Sequence, residues 1–205
     1  MNILLIIVFA VTLLYLSMTE RFPIYASLIG LQGVLLFFLS LLELNTITLA
    51  TLIFVSVETL VFKVMVVPWF LFRIIRKTGE TKVHEKAMPG FYSLFFVTGG
   101  LLMSIAISFS LAATGRSLIY FIVAFFAVYT GLFMIISHRK IFSHLIGFLV
   151  VENAVLLLSL AIGAEIPMLI NVGILLDIFV SVLILGIFMM RLKQSVHELT
   201  MLRDE

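Results

Sequence analysis

The sequence contains no cysteine and few charged residues. None of its 205 residues is Cys and 12% are charged, whereas soluble domains carry about 25% charged residues. The absence of Cys excludes disulfide bonds, thiol chemistry and iron–sulfur or zinc sites held by cysteine. So low a charge content also argues against a water-soluble globular domain.

Motifs that mark common catalytic and cofactor sites are also absent. The sequence has no Walker phosphate loop, no HExxH zinc motif and no GxSxG nucleophile motif. A retinal protein would need a lysine in the last hydrophobic stretch, where the central ionisable residue is instead Asp177. No haem-binding pair is predicted within a membrane helix, because the histidines fall in loops, near helix ends or in the tail: His84, His138, His144 and His197.

Long apolar stretches dominate what is present. Hydrophobic residues make up 63% of the chain, and the mean hydropathy is +1.29. About 20 apolar residues cross a bilayer as a helix. Residues 1–205 are predicted to form one all-α integral membrane domain, because the longest polar loop, 73–90, is far shorter than a domain. Seven stretches are predicted to span the membrane: 3–19, 23–42, 47–72, 91–113, 118–137, 141–163 and 167–190.

The basic residues favour one orientation of these seven helices. Cytoplasmic loops of membrane proteins are enriched in Lys and Arg. An external N-terminus leaves only Arg116 in an outer loop and Lys63 within a helix. Membrane topology thus accounts for the basic residues without any nucleic-acid partner. Eleven of the thirteen then lie on the inner side: Arg21, Arg73, Arg76, Lys77, Lys82, Lys86, Arg139, Lys140, Arg191, Lys193 and Arg203.

A weak internal repeat suggests how the helices are organised. Leu28-Ile29-Gly30 recurs as Leu145-Ile146-Gly147, and a mid-helix acid follows each leucine after 30 residues (Glu58) or 32 residues (Asp177). Chance similarity between Leu/Ile-rich segments is the alternative explanation. The repeat predicts two three-helix units in the same orientation, 1–77 and 114–191, joined by a basic inner loop and connecting helix, 78–113, and followed by a cytoplasmic tail, 192–205.

Four ionisable residues lie near the middle of predicted membrane helices: Glu58, Lys63, Glu152 and Asp177. A charge at the bilayer centre costs about 2.5–3.5 kcal/mol on insertion scales, and such residues usually face the bundle interior and mark ion or proton paths. We predict that these four relay protons. Three amides are predicted to extend the polar path: Asn153, Asn171 and Gln32.

The expected depths of Glu152 and Asp177 are matched. Glu152 lies 13 residues before Glu165 and Asp177 lies 12 after it, so both are about 18–20 Å from that turn at 1.5 Å per residue. If their helix faces meet, the two carboxyl groups would not both ionise easily, which suits a proton carrier. A second possibility is that Lys63 pairs with one of these acids in a purely structural ion pair.

In helix 3, Glu58 and Lys63 are five residues apart, about 140° around a regular α-helix, so they are expected to point in different directions. Pro68 cannot donate to the carbonyl of Val64, and a kink or local loosening is expected below Lys63.

Residues 139–160, RKIFSHLIGFLVVENAVLLLSL, resemble the second helix of the small NuoK subunit of complex I. The shared features are the basic start, the L-I-G motif at 145–147 and Asn153-Ala154. The following helix in that family carries another central acid, matched here by Asp177. The match departs from the family pattern two residues after each glycine, where a glutamate is replaced by Leu149 and Gln32.

With the segment FKVMVVPWFLFRIIRK at 62–77, the whole chain resembles component E of hydrogenase-4, a membrane subunit of [NiFe] hydrogenase and formate hydrogenlyase-type complexes related to complex I. The resemblance implies a non-catalytic proton-relay subunit in a bacterial inner membrane, beside antiporter-like subunits. It also implies that this chain binds no metal or cofactor and that the NiFe and iron–sulfur centres belong to partner subunits. A cation/proton antiporter subunit, a stand-alone ion transporter and a structural scaffold remain alternatives.

Overall fold

The computed structural model describes residues 2–19, 21–43, 56–78, 90–111, 116–138 and 141–162. These ranges are helical apart from short turns. Their helices are α1 (Asn2–Met18), α2 (Phe22–Glu43), a π-helical segment (Ser56–Val66) that continues directly into α3 (Val67–Thr78), α4 (Gly90–Ser110), α5 (Arg116–Ser137) and α6 (Ile141–Ile162). We call Ser56–Val66 the π segment.

These helices coincide with the first six predicted hydrophobic stretches. Four contain spans that are long and apolar enough to cross a membrane: Phe22–Leu42, Tyr92–Ser110, Ser117–Ser137 and Phe142–Ile162. Helix α1 is as apolar but has 17 residues. The described residues are therefore all-helical, and the chain is a multi-pass membrane protein. The predicted seventh helix, 167–190, lies outside the described residues, as do Asp177, Asn171 and the first part of the third stretch.

Helix α2 occupies a central position in the described bundle. It packs against α1, the π segment, α3 and α6, while α5 packs against α6, α4 and α1. Apolar side chains are abundant on the outside as well, for example Phe95 and Ile136. Since lipid is as apolar as this interior, close packing and polar contacts hold such helices together. The largest fully buried side chains include Phe9, Tyr25, Leu36, Phe126 and Ile146.

The C-terminus of α1 and the N-termini of α2, α4 and α6 lie together at one end of the bundle. The Ser93 hydroxyl donates to the Ser17 carbonyl over 3.0 Å. The rings of Phe22 and Phe142 pack edge to face with centroids 4.6 Å apart. The alternating helix directions predicted from the loops are thus present in these elements.

Two glycines bring α2 close to the third membrane segment. A Cβ on Gly33 would lie 3.0 Å from the carbonyl carbon of Lys63, and a Cβ on Gly30 would lie 3.1 Å from Cγ of Pro68. As the third segment advances from 63 to 68, α2 runs back from 33 to 30, so the two are antiparallel. The last turns of α3, with exposed Arg73 and Arg76, therefore lie towards the start of α2. We call this the basic end.

The crossing of α5 and α6 is closer still. A Cβ on Gly131 would lie 2.6 Å from the carbonyl oxygen of Gly147, and the converse distance is also 2.6 Å. Small residues at helix interfaces allow such an approach in membranes. Gly147 packs against the preceding helix, whereas Gly30 packs against the following segment. The two glycines of the proposed repeat therefore have different surroundings, and the repeat itself stays a prediction.

Substitution of Gly147 by Ala is expected to destabilise the protein by about 1–3 kcal/mol, because backbone at the crossing must move to admit the methyl group. Gly99 in α4 is a matched control, since a Cβ there would meet no atom within 4 Å. Gly99→Ala should be neutral or stabilising by up to about 1 kcal/mol. Thermal unfolding of both variants in one detergent measures this difference. Equal shifts would show that the crossing is not closely packed.

The π segment gives helix 3 an unexpected geometry. The sequence predicts a kink or local loosening below Lys63, caused by Pro68. The structure has π-helical geometry from Ser56 to Val66, which includes the residues just below Lys63 but also extends above it, and α-helical geometry begins at Val67. A π-helix joins residues i and i+5, so positions 58 and 63 lie one turn apart along the backbone. The predicted divergence of about 140° assumed a regular α-helix, which the backbone does not form here, so the divergence of these two side chains stays a prediction. The Glu58 side chain is outside the described part.

Candidate functional site

Buried polar side chains converge at the middle of the bundle. Gln32 is the eleventh of 22 residues in α2, and Glu152 is the twelfth of 22 in α6. These residues are almost fully enclosed, so polar contacts rather than water must satisfy them. The cluster has five members, which we call the polar chain: Thr12 (5% exposed), Gln32 (0%), Lys63 (4%), Glu152 (8%) and Asn153 (3%).

An ion pair between Lys63 and Glu152 is the charged part of the polar chain. Lys63 Nζ lies 2.9 Å from Glu152 Oε1. The pair connects the π segment to α6, and Gly33 admits the Lys63 backbone against α2. Burying either charge alone would cost several kcal/mol, and the opposite charge offsets most of that cost.

Hydrogen bonds extend the ion pair across the bundle to α1. Lys63 Nζ also donates to Asn153 Oδ1 over 3.1 Å, and Asn153 Nδ2 donates to Gln32 Oε1 over 3.1 Å. Gln32 Nε2 donates to Thr12 Oγ1 over 3.0 Å. The Thr12 hydroxyl donates in turn to the Phe9 carbonyl over 2.6 Å. The polar chain therefore links the π segment, α6, α2 and α1. In each of these hydrogen bonds between helices, the acceptor lies one step closer to α1 than the donor.

The chemistry of the members divides the polar chain into two parts. Lysine and glutamate gain and lose protons, whereas amides donate hydrogen bonds without titrating. Lys63 and Glu152 are therefore the ionisable members of the polar chain. Asn153 and Gln32 fix the position of the lysine ammonium group and connect it to Thr12.

The structure brings together four of the seven residues predicted from the sequence. Lys63, Glu152, Asn153 and Gln32 contact one another in the polar chain. The pairing of Lys63 with Glu152 is the one that the sequence suggested as a structural alternative. The predicted meeting of Glu152 with Asp177 lies outside the described residues, and so does Asn171. Glu58 is placed by its backbone alone.

Thr12 was missed by the sequence analysis. A threonine in an apolar helix is ordinary, because its hydroxyl can bond the carbonyl three or four residues earlier, and Thr12 does so. The additional bond from Gln32 makes it part of the polar chain. The sequence does show one polar residue near the centre of α1, Thr12, and one near the centre of α2, Gln32. Their positions alone do not predict that the two side chains contact each other.

Two histidines near the basic end bind backbone carbonyls. His138 Nδ1 donates to the Met134 carbonyl over 3.1 Å, and His144 Nε2 donates to the His138 carbonyl over 2.6 Å. They join the end of α5 to the beginning of α6. Within the six described ranges, no three His, Cys, Asp or Glu side chains converge as metal ligands would.

Replacing Gln32 by Leu is expected to destabilise the protein by about 1–3 kcal/mol, because the amide of Asn153 loses its buried acceptor. Thr12→Val should cost less, since it removes one acceptor at the end of the polar chain. Thr98→Val is the control, because the exposed Thr98 hydroxyl bonds only to the Leu94 carbonyl of its own helix. Unfolding in increasing denaturing detergent ranks the three variants. A neutral Gln32→Leu would show that the amide contacts contribute no stability.

Comparison with known proteins gives one distant relative and no family. No protein-family model matches the sequence, and no solved structure matches it. The chain is 25% identical over 146 residues to the uncharacterized protein Rv0085 of Mycobacterium tuberculosis. The match covers 70% of this chain and 66% of that protein, slightly less than two thirds of its length. That protein's name states no activity, so the similarity leaves the function to be argued from the site.

Proposed function

We propose that this protein is a non-catalytic membrane subunit that relays protons, or the charge shifts that drive pumping, through the Lys63–Glu152 pair. The observation that supports this most is a buried ion pair at mid-helix depth between two largely apolar membrane segments. Ionisable residues inside a membrane are expensive, and their usual role is in an ion or proton pathway. A purely structural pair would gain little over apolar side chains of equal size.

The geometry provides a route for proton exchange. Lys63 Nζ and Glu152 Oε1 are within proton-transfer distance at 2.9 Å, so the pair has a charged form and a neutral form. A proton arriving at Glu152 removes the counter-charge of Lys63. The ammonium group then favours another acid or releases its own proton. Glu58 and Asp177 are the proposed next groups, and the bond to Asn153 holds the lysine near α6 meanwhile.

The proposed assembly is a hydrogenase-4 or formate hydrogenlyase-type complex related to complex I. Two segments carry this resemblance, and both contribute to the polar chain. Residues 62–77 supply Lys63, and residues 139–160 supply Glu152 and Asn153. In this proposal, seven helices form two NuoK-like units in a bacterial inner membrane, with an external N-terminus and the basic end in the cytoplasm. Antiporter-like subunits are neighbours, and the NiFe and iron–sulfur centres lie in other partners.

A cation/proton antiporter subunit or a stand-alone ion transporter is the second candidate, because the same buried acids would serve as ion ligands. Purification from native membranes in mild detergent separates the two. Co-elution with large redox subunits in fixed proportion is the expected result. Isolation as a homodimer that exchanges cations for protons in liposomes would contradict the hydrogenase-type assembly and support the transporter.

A further inference from the structure

The exposed side chains of the third membrane segment change character towards the basic end. Those described for the π segment are apolar: Val57, Leu60, Val61, Met65 and Val66. Trp69 follows at 59% exposure, and exposed Arg73 and Arg76 come after it. Membrane helices show this order of apolar, aromatic and basic residues from the hydrocarbon core to the headgroups. We therefore expect residues 69–76 to lie at headgroup depth.

A cavity of about 420 Å³ opens at this depth. It is lined by Trp69, Phe72, Arg73 and Arg76. The Arg73 guanidinium carbon lies 5.2 Å from the centroid of the Trp69 ring, so a cation–π contact holds the charge above the aromatic surface. Arg76 is one helical turn further on. The described lining thus combines two cations with two aromatic rings and includes no acid.

We propose that this cavity binds the phosphate of an anionic phospholipid. Arginine is the side chain best suited to phosphate, because its planar guanidinium group can donate two parallel hydrogen bonds. Basic pockets at the ends of membrane helices bind anionic headgroups in this way. The acyl chains would extend along the apolar face of Met65 and Trp69. Free phosphate can form the same hydrogen bonds with arginine, but it has no acyl chains to contact the apolar face.

The location connects the lipid to the polar chain. Helix α3 continues directly from the π segment that contains Lys63, and its first residue, Val67, is four positions after the lysine. A lipid phosphate bound by Arg73 and Arg76 would fix the depth of α3 in the bilayer. It would thereby hold the segment that contains Lys63 at its level relative to α6.

The test uses the full-length protein, delipidated in detergent, with binding measured by native mass spectrometry and thermal unfolding. The probes are dioleoyl phosphatidylglycerol, dioleoyl phosphatidylcholine and inorganic phosphate. At about 1 kcal/mol per arginine near a charged surface, Arg76→Gln should weaken phosphatidylglycerol binding about 5-fold and Arg73→Gln/Arg76→Gln about 30-fold. Both side chains are exposed, so the variants should fold. Arg21→Gln, an exposed arginine near the start of α2, is the matched control.

The expected pattern is strong binding of phosphatidylglycerol, weaker binding of phosphatidylcholine, no stabilisation by inorganic phosphate and little effect of Arg21→Gln. Unchanged binding in the double variant would overturn the proposal. An equal loss in Arg21→Gln would also overturn it, because the attraction would then be diffuse surface charge. Equal stabilisation by inorganic phosphate would identify a free-anion site and reject the lipid. If a partner's acidic segment occupies the cavity, the lipid will be absent from the native complex, and the proposal fails.

Discussion

Replacing Lys63 by Met should destabilise the folded protein by about 3–5 kcal/mol, because Glu152 is then left buried without its counter-charge. Asn153 also loses the donor to its side-chain oxygen. Reduced yield in the membrane and a lower unfolding temperature in detergent are the measurable results.

The double variant Lys63→Met/Glu152→Met should recover most of that loss. Buried ion pairs exchanged for apolar residues of similar volume are often neutral or stabilising. The comparison of the single and double variants therefore separates the electrostatic effect of the ion pair from the effect of side-chain packing. A Lys63→Met variant as stable as the wild type would mean that the two charges do not depend on each other. A double variant as unstable as the single one would mean that packing, and not charge, is responsible.

Asp177→Asn is expected to reduce proton translocation by the proposed complex about 100-fold or more, because removal of one proton-transfer group lowers a rate by about 10²–10⁴-fold. Asparagine keeps the size and polarity of aspartate but cannot carry a proton. Assembly should be unaffected. Inverted membrane vesicles, energised by the redox donor of the co-purified subunits, report translocation through quenching of an acridine dye.

Glu165→Gln provides the control for this variant. Glu165 is an acid that the sequence places at the membrane edge, between the predicted sixth and seventh helices. Its replacement should leave translocation unchanged. Full pumping by Asp177→Asn would remove this residue from the proposed relay. A similar loss in both variants would indicate damage to the hairpin and not interruption of a proton path.

The positions of the helices were predictable because they depend on one property, the length of an apolar run. A run of about 20 apolar residues in a chain of low charge forms a helix in lipid, since each backbone group must be satisfied internally. The described parts of α2, α4, α5 and α6 follow the predicted stretches closely. The unusual geometry of the third segment was not predictable. Pro68 signalled a disturbance, but an 11-residue π-helix has no residue pattern of its own.

The members of the candidate site were easier to predict than their pairing. In a soluble helix, the polar face identifies the side that contacts water, whereas lipid-facing and interior-facing residues of a membrane helix are equally apolar. In helix α6, only Glu152 and Asn153 therefore indicate which side of the helix faces the bundle interior. Charge at mid-membrane depth identified Lys63 and Glu152 as interior residues. Their mutual contact depends on the π segment and on Gly33, which set the position of the lysine backbone against α2.

The most direct test is proton translocation by the complex that contains Lys63→Met/Glu152→Met. This variant removes both titratable groups of the polar chain while restoring a neutral, packed interior. With assembly and redox turnover verified, the same vesicle assay should show translocation reduced to the background rate if the pair conducts protons. Translocation at the wild-type rate would mean that the Lys63–Glu152 pair only holds the helices together.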